Sequence, residues 1–165
     1  MKKLVVTTAV AAFVAIASAS AFAEGVGVVD MKTIFSTSPK VKEIKAQLTA
    51  QFNPEKAKLQ KMGEALQASI ADYQKNKPTM KAADLSKLEA GITSQETAFR
   101  EAQAKFQQDV FNAQNKSLET FMDSVKAAVK VVAEKDKLDL VIPSNDVLYT
   151  KDKTDITKEV LDNLK

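Results

Sequence analysis

The chain has no cysteine, histidine or tryptophan, and only four glycines and four prolines among its 165 residues. The missing thiols and imidazoles exclude disulfides, cysteine nucleophiles, histidine general bases and Cys/His metal sites. Phosphate-binding, dinucleotide-binding, serine-hydrolase and zinc-protease motifs are also absent from the sequence. We therefore expect a protein that is not an enzyme, uses no cofactor or metal, and works through binding free energy alone.

The amino terminus has the three parts of a signal peptide. Lys2 and Lys3 precede the apolar run LVVTTAVAAFVAIASA, and Ala21-Phe22-Ala23 forms a small-x-small cleavage signal. An uncleaved membrane anchor is the alternative, but the apolar run is short for a span and ends in small residues. We predict export with cleavage after Ala23, which leaves a mature chain with a net charge of only +1.

Two long segments carry apolar residues at steps of three and four, which is typical of one stripe on a helix. The stretch KNKPTMKA separates them, and its Pro78 prevents helical continuation. Asp84 is the predicted cap of the second helix, and a kink or break is predicted at residues 52–54, where Asn53 precedes Pro54. Pro54 and Gly91 are the predicted sites of bending. The first stripe is Val41, Ile44, Leu48, Phe52, Leu59, Met62, Leu66, Ile70 and Tyr73; the second is Leu85, Leu88, Ile92, Phe99, Phe106 and Val110.

The remaining segments predict a small β part. Residues 24–31 and 138–143 are predicted strands, and residues 147–150 are predicted to form a third after the turn-like SND. A final helix is expected after a cap at Thr154 or Asp155. In the second long helix, the apolar arc widens from Leu118 onward, which indicates burial on several sides.

Three short strands and a hairpin with single apolar stripes bury little area per residue, so we expect the chain to oligomerise. The predicted fold is mainly α with a small β part, in which long antiparallel helical hairpin arms project from a β-rich oligomeric body. Residues 24–39 and 117–165 would form the body and residues 40–116 the arm. The predicted core of the body is Val26, Val28, Leu138, Leu140, Ile142, Val125, Val129 and Val132.

Positive charge is concentrated on one helix of the predicted hairpin. Residues 40–81 carry nine lysines against four carboxylates, whereas residues 84–135 carry seven basic and eight acidic side chains. Such lysines are ordinarily solvated surface, but clustered at a tip they could attract acidic clients or anionic lipid head groups. Met80 is either hairpin core or an adaptable contact for varied partners. The candidate residues for client or anionic-surface binding are Lys56, Lys58, Lys61, Lys75, Lys77, Met80 and Lys81.

The closing segment LDLVIPSNDVLYTKDKTDITKEVLDNL and the opening GVGVVDM with KTIFSTSP resemble the Skp/OmpH family of periplasmic chaperones, and the arms match it in periodicity and length. The resemblance implies a jellyfish-like homotrimer that holds unfolded outer-membrane β-barrel proteins between its arms, without ATP, before outer-membrane assembly. It also implies a periplasmic location and contact with lipopolysaccharide through basic residues on the arms. The stretch DVFNAQNK, residues 109–116, is by contrast poor in positive charge.

The sequence leaves two other classes of function as alternatives. A structural coiled-coil envelope adaptor would dock its hairpin into a partner, but the tip KNKPTMKA is short, polar and without a knob pattern. An exported enzyme would need a deep pocket with convergent titratable groups. Nucleic acid is not expected as a partner, because the chain is exported and its basic tract has no interleaved aromatics.

Overall fold

The computed structural model describes residues 25–151 and 153–164. The predicted signal peptide, residues 1–23, lies outside them. Along the chain come β1 (Val26–Val29), α1 (Met31–Thr37), α2 (Pro39–Asn76), α3 (Ala82–Asp136), β2 (Leu140–Pro143), a 3-10 turn (Ser144–Asp146), β3 (Thr154–Asp155) and α4 (Thr157–Asn163). The mainly helical fold with a small sheet agrees with the predicted class.

The small sheet is parallel, with β1 in the centre between β2 and β3. Val28 pairs with Ile142 on one side and with Asp155 on the other. Gly27 lies at a close approach in the centre of the sheet, because a Cβ atom there would lie 2.7 Å from a methyl group of Leu138. That distance is closer than real Cβ contacts, so a larger residue at this position would have to displace the Leu138 side chain.

The third predicted strand, residues 147–150, is wrong. After the 3-10 turn the chain leaves the sheet, and residues 147–150 belong to none of its three strands. The third strand is instead Thr154–Asp155. Leu148 and Tyr149 lie in a loop and are 102% and 85% exposed.

Of the kink or break predicted at residues 52–54, the break is wrong, since α2 runs without interruption from Pro39 to Asn76 with Pro54 inside it, and the kink stays a prediction. A proline removes one backbone hydrogen bond and strains the preceding turn, and packing against a neighbouring helix can offset that cost. Here the ring of Phe52 meets Phe106 of α3 edge-on, with centroids 5.9 Å apart.

The two smaller helix-start predictions need correction by a few residues. Helix α3 starts at Ala82 after the extended Lys81, so Asp84 lies inside the first turn rather than at the cap. Its carboxylate still faces the positive end of the helix dipole. Helix α4 follows Ile156, and the Asp155 carboxylate accepts from the Thr157 N–H at 3.0 Å.

Side chains at one end of the long helices form the hydrophobic core. Phe121, Val125, Ala128 and Val132 of α3 pack with Val29, Ile34, Ile156, Val160 and Leu164. The ring of Phe121 also lies 5.0 Å from that of Phe35, centroid to centroid. Between residues 39 and 120 no side chain is buried. The rest of the helical pair therefore extends away from the core and depends on contacts between α2 and α3 alone.

Those contacts follow a regular order. Phe52 of α2 meets Phe106, Ser69 donates a hydrogen bond to Gln95, and Tyr73 donates one to Glu89. Residues farther along α2 therefore contact residues earlier in α3. We call this pair of helices the arm, and its end at residues 75–81, which includes the turn between the helices, the tip.

Candidate functional site

The tip is built by backbone hydrogen bonds that close α2 and start α3. The N–H groups of Lys77 and Met80 donate to Tyr73 and Asn76, at 2.9 and 3.0 Å. Lys77 is the C-cap residue of α2 and Lys81 is the N-cap residue of α3, so both lie where the chain reverses direction. Lys75, Lys77 and Lys81 are all exposed, and Met80 is half-buried. The structure thus places these four predicted site residues together, at the end of the arm away from the core.

Lys77 makes one further contact at the tip. Its ammonium lies 5.4 Å from the centre of the Tyr73 ring, within range of a cation–π interaction. Tyr73 in turn donates to the Glu89 carboxylate on α3. These contacts orient one of the tip lysines without neutralising it.

The other three predicted site lysines occupy the middle of α2. Lys56, Lys58 and Lys61 are exposed and form no recorded ion pair within the described part of the chain. Lys58 lines a groove of 160 Å³ between α2 and α3, which also includes Glu55 and Asp109. These lysines are several helical turns from the tip, so the seven predicted residues form two groups rather than one site.

The predicted body core is only partly buried in the single chain. Val28, Val125 and Val132 have at most 3% of their surface exposed. Val26, Leu138, Ile142 and Val129 are half-buried, and Leu140 on the outer strand β2 is 52% exposed.

A hydrogen-bond network ties the two ends of the body together. The Thr157 hydroxyl accepts from the Asp30 N–H at 2.8 Å and donates to Asp155 at 2.6 Å. Asp30 caps α1 by accepting from the N–H and hydroxyl of Thr33. Hydrogen bonds from Thr157 lower the pKa of the Asp155 carboxyl, and hydrogen bonds from Thr33 lower the pKa of Asp30. This network joins the segments before α1 and α4, which are far apart in sequence.

The wide apolar arc of α3 predicts burial from Leu118 onward, but Leu118 is exposed in the single chain, and Phe111 was not among the residues predicted from the sequence. On α3, Phe111 and Leu118 are 59% and 50% exposed. They lie seven residues apart, in register with the buried Val125 and Val132, and this heptad spacing was the signal available in the sequence. Other exposed apolar residues are Phe35, Val131, Leu140, Leu148 and Tyr149.

The grooves along the described residues are open to solvent. The groove at the base of the arm measures 510 Å³ and includes Lys40, Ile44, Leu48 and Lys116. Across the described residues, no group of acidic side chains is arranged to hold a metal ion. No helix in the described part of the chain combines the length and apolarity needed to cross a membrane.

Comparison with known proteins gives a consistent result. The family model for OmpH-like outer membrane proteins matches residues 25–164. The chain is 31% identical to the chaperone protein Skp of Pectobacterium atrosepticum over 165 residues, all of both chains. It is 34% identical to the chaperone protein Skp of Yersinia enterocolitica over 149 residues, 90% of this chain and 91% of the other.

A solved structure supports the fold. An OmpH-like protein of Caulobacter crescentus superimposes with a TM-score of 0.75, over 85% of this chain and 83% of that one, at 19% identity. The Skp relatives are named as chaperones and not as enzymes. The chain therefore belongs to the family of OmpH-like outer membrane proteins.

Proposed function

We propose that the protein is an ATP-independent holdase chaperone of the periplasm, which binds unfolded outer-membrane proteins and prevents their aggregation before outer-membrane assembly. The observation that carries the proposal is the family match across residues 25–164, with relatives named as Skp chaperones over the whole chain. The clients are unfolded β-barrel proteins, held in a cavity between helical arms.

The distribution of burial supports this proposal. The arm has no buried side chain between residues 39 and 120, and it ends in exposed lysines. A surface of this kind suits transient contact with many sequences better than one tightly fitted ligand. Lysines on α2 and at the tip would attract acidic clients, or the anionic head groups of membrane lipids and lipopolysaccharide.

The assembly we propose is a jellyfish-like homotrimer. Residues 24–39 and 117–165 form its body, and residues 40–116 form antiparallel hairpin arms that project from it. Leu140 on the outer strand and the apolar loop residues Leu148 and Tyr149 are exposed in the single chain. Burying them between copies would remove apolar surface from water and cover an open sheet edge.

Export is the first step of the proposed function. A cleavable signal peptide, removed after Ala23, would deliver the chain to the periplasm. The test is amino-terminal sequencing of the protein recovered from the periplasm of a host bacterium, which should begin at Glu24. A chain that retains residues 1–23 there would contradict cleavage.

The holdase activity is tested by diluting an unfolded outer-membrane β-barrel protein out of urea without nucleotide and recording light scattering. We expect near-stoichiometric mature protein to suppress the scattering. The control is an equal mass of a folded protein that does not bind unfolded chains. Undiminished aggregation in the presence of folded, oligomeric protein would overturn the proposal and favour a structural coiled-coil adaptor.

A further inference from the structure

The arm is held together differently along its length. We define the proximal arm as residues 39–63 and 99–120, and the distal arm as residues 64–98. In the proximal arm, Phe52 packs edge-on against Phe106, and Val41 and Ile44 pack against the core cluster. Aromatic and aliphatic contacts that continue into a core resist local opening.

The contacts of the distal arm include two exposed hydrogen bonds between the helices. Ser69 donates to Gln95 at 3.0 Å, and Tyr73 donates to Glu89. Gln95 occupies a position that the apolar stripe of α3 would otherwise fill. Because exposed polar pairs exchange readily with water, they add little to the free energy of opening.

The two glycines of the arm have different surroundings. At Gly63 the helices approach closely, since a Cβ atom there would lie 3.7 Å from the Phe99 ring. At Gly91 a Cβ atom would meet nothing within 4 Å. Gly91 therefore weakens the helix without allowing a closer approach of its neighbour.

From these contrasts we infer that the distal arm opens as a unit of its own, separating α2 from α3 while the proximal arm and the body stay folded. The Gly63–Phe99 contact marks the boundary. Opening exposes the inner apolar side chains Ile70 and Ile92, which are half-buried when the arm is closed. The distal arm thus has two forms. The closed form presents mainly polar side chains to solvent, and the open form also presents the apolar side chains between the helices.

The test is amide hydrogen exchange followed by mass spectrometry on the purified mature protein, without any client. Backbone amides of residues 66–76 and 84–97 should exchange at least about tenfold faster than those of residues 44–60 and 103–118. Equal exchange along the whole arm would overturn the inference. The measurement is independent of chaperone activity, so its failure would leave the proposed function standing.

Two variants sharpen the test. Gly91→Ala gains helix propensity without a new contact, so it should slow distal exchange by about fivefold and leave proximal exchange unchanged. Tyr73→Phe removes the hydrogen bond to Glu89 and keeps the ring, so it should speed distal exchange by about threefold. The matched control is Thr49→Ala, an exposed helix-favouring change in the proximal arm, which should slow proximal exchange only. If Gly91→Ala slows both parts equally, the arm is one cooperative unit and the inference is wrong.

Discussion

Thr157 links two segments of the body through its side-chain hydroxyl. It is 8% exposed, and its hydroxyl serves both as acceptor for the Asp30 N–H and as donor to Asp155. A buried donor or acceptor that loses its partner keeps its desolvation penalty, so both ends of this network depend on one hydroxyl.

We expect Thr157→Val to destabilise the protein by about 1–3 kcal/mol, because it leaves the Asp30 N–H without its partner. Thr157→Ser keeps the hydroxyl and should recover most of that loss. The measurement is the urea midpoint of unfolding, followed by circular dichroism. A Ser variant that is less stable than the Val variant would show that the methyl group rather than the hydrogen bonds holds this position.

The same network makes the stability of the body depend on pH under acidic conditions. The pKa values of Asp155 and Asp30 are lowered in the folded protein by hydrogen bonds from Thr157 and Thr33. A carboxyl with a lowered folded pKa contributes stability that is fully present above its unfolded pKa, about 3.9. That contribution is lost as the pH falls through the lower folded pKa.

We therefore expect the urea midpoint to be insensitive to these two groups between pH 5 and pH 8, and to fall below about pH 4. Asp155→Asn should be less stable than the wild type at pH 7, with a smaller further loss on acidification. The comparison is a series of urea titrations at fixed ionic strength. An identical acid dependence in the variant would show that Asp155 does not contribute.

At the scale of the elements, α2 is the informative case. Its sequence contains Asn53-Pro54, a pattern that usually starts a helix, yet α2 continues through it. In proteins, packing against a neighbouring helix stabilises a helix more than local sequence preference does. Contacts with α3 can therefore keep α2 continuous through the proline. The aromatic pair of Phe52 and Phe106 supplies that packing directly before it.

Since proline in a helix interior costs about 3 kcal/mol relative to alanine, Pro54→Ala should stabilise this stretch by up to that amount. The measurement is hydrogen exchange of the amides of residues 50–58, which should slow. The neighbouring exposed change Asn53→Ala is the control and should have a much smaller effect. Unchanged exchange in Pro54→Ala would mean that the turn carries no proline strain.

At the scale of the whole molecule, the exposed lysines of the tip and the hydrophobic core lie at opposite ends of the arm. The buried residues come from residues 27–38 and 121–164, whereas the lysines of the tip are separated from them by the length of the arm. Long-range attraction from such a position raises the rate of encounter with an anionic partner and weakens with added salt.

Reversing Lys75, Lys77 and Lys81 to Glu should slow capture of an acidic unfolded client by about tenfold at low salt, with a smaller effect at high salt. The measurement is stopped-flow fluorescence of a labelled client. Reversing Lys56, Lys58 and Lys61, the other group of candidate binding lysines, changes the net charge equally in the middle of α2 and so measures how much the position at the tip adds. Unchanged capture by the tip variant would contradict a role for these lysines in client attraction.

The sequence by itself determined the helical pair, its turning point and the class of chemistry. Apolar steps of three and four specify a helix face locally, Pro78 blocks continuation, and the absent thiols and imidazoles exclude their chemistry in any fold. Only the tertiary structure decided which strand pairs with β1 and whether Pro54 interrupts α2. Residues 147–150 have strand-like composition, but a strand forms only where it pairs with another strand, and β1 pairs with residues 154–155 instead. The polar contacts of the distal arm likewise depend on the register of two helices, which no single stretch of sequence encodes.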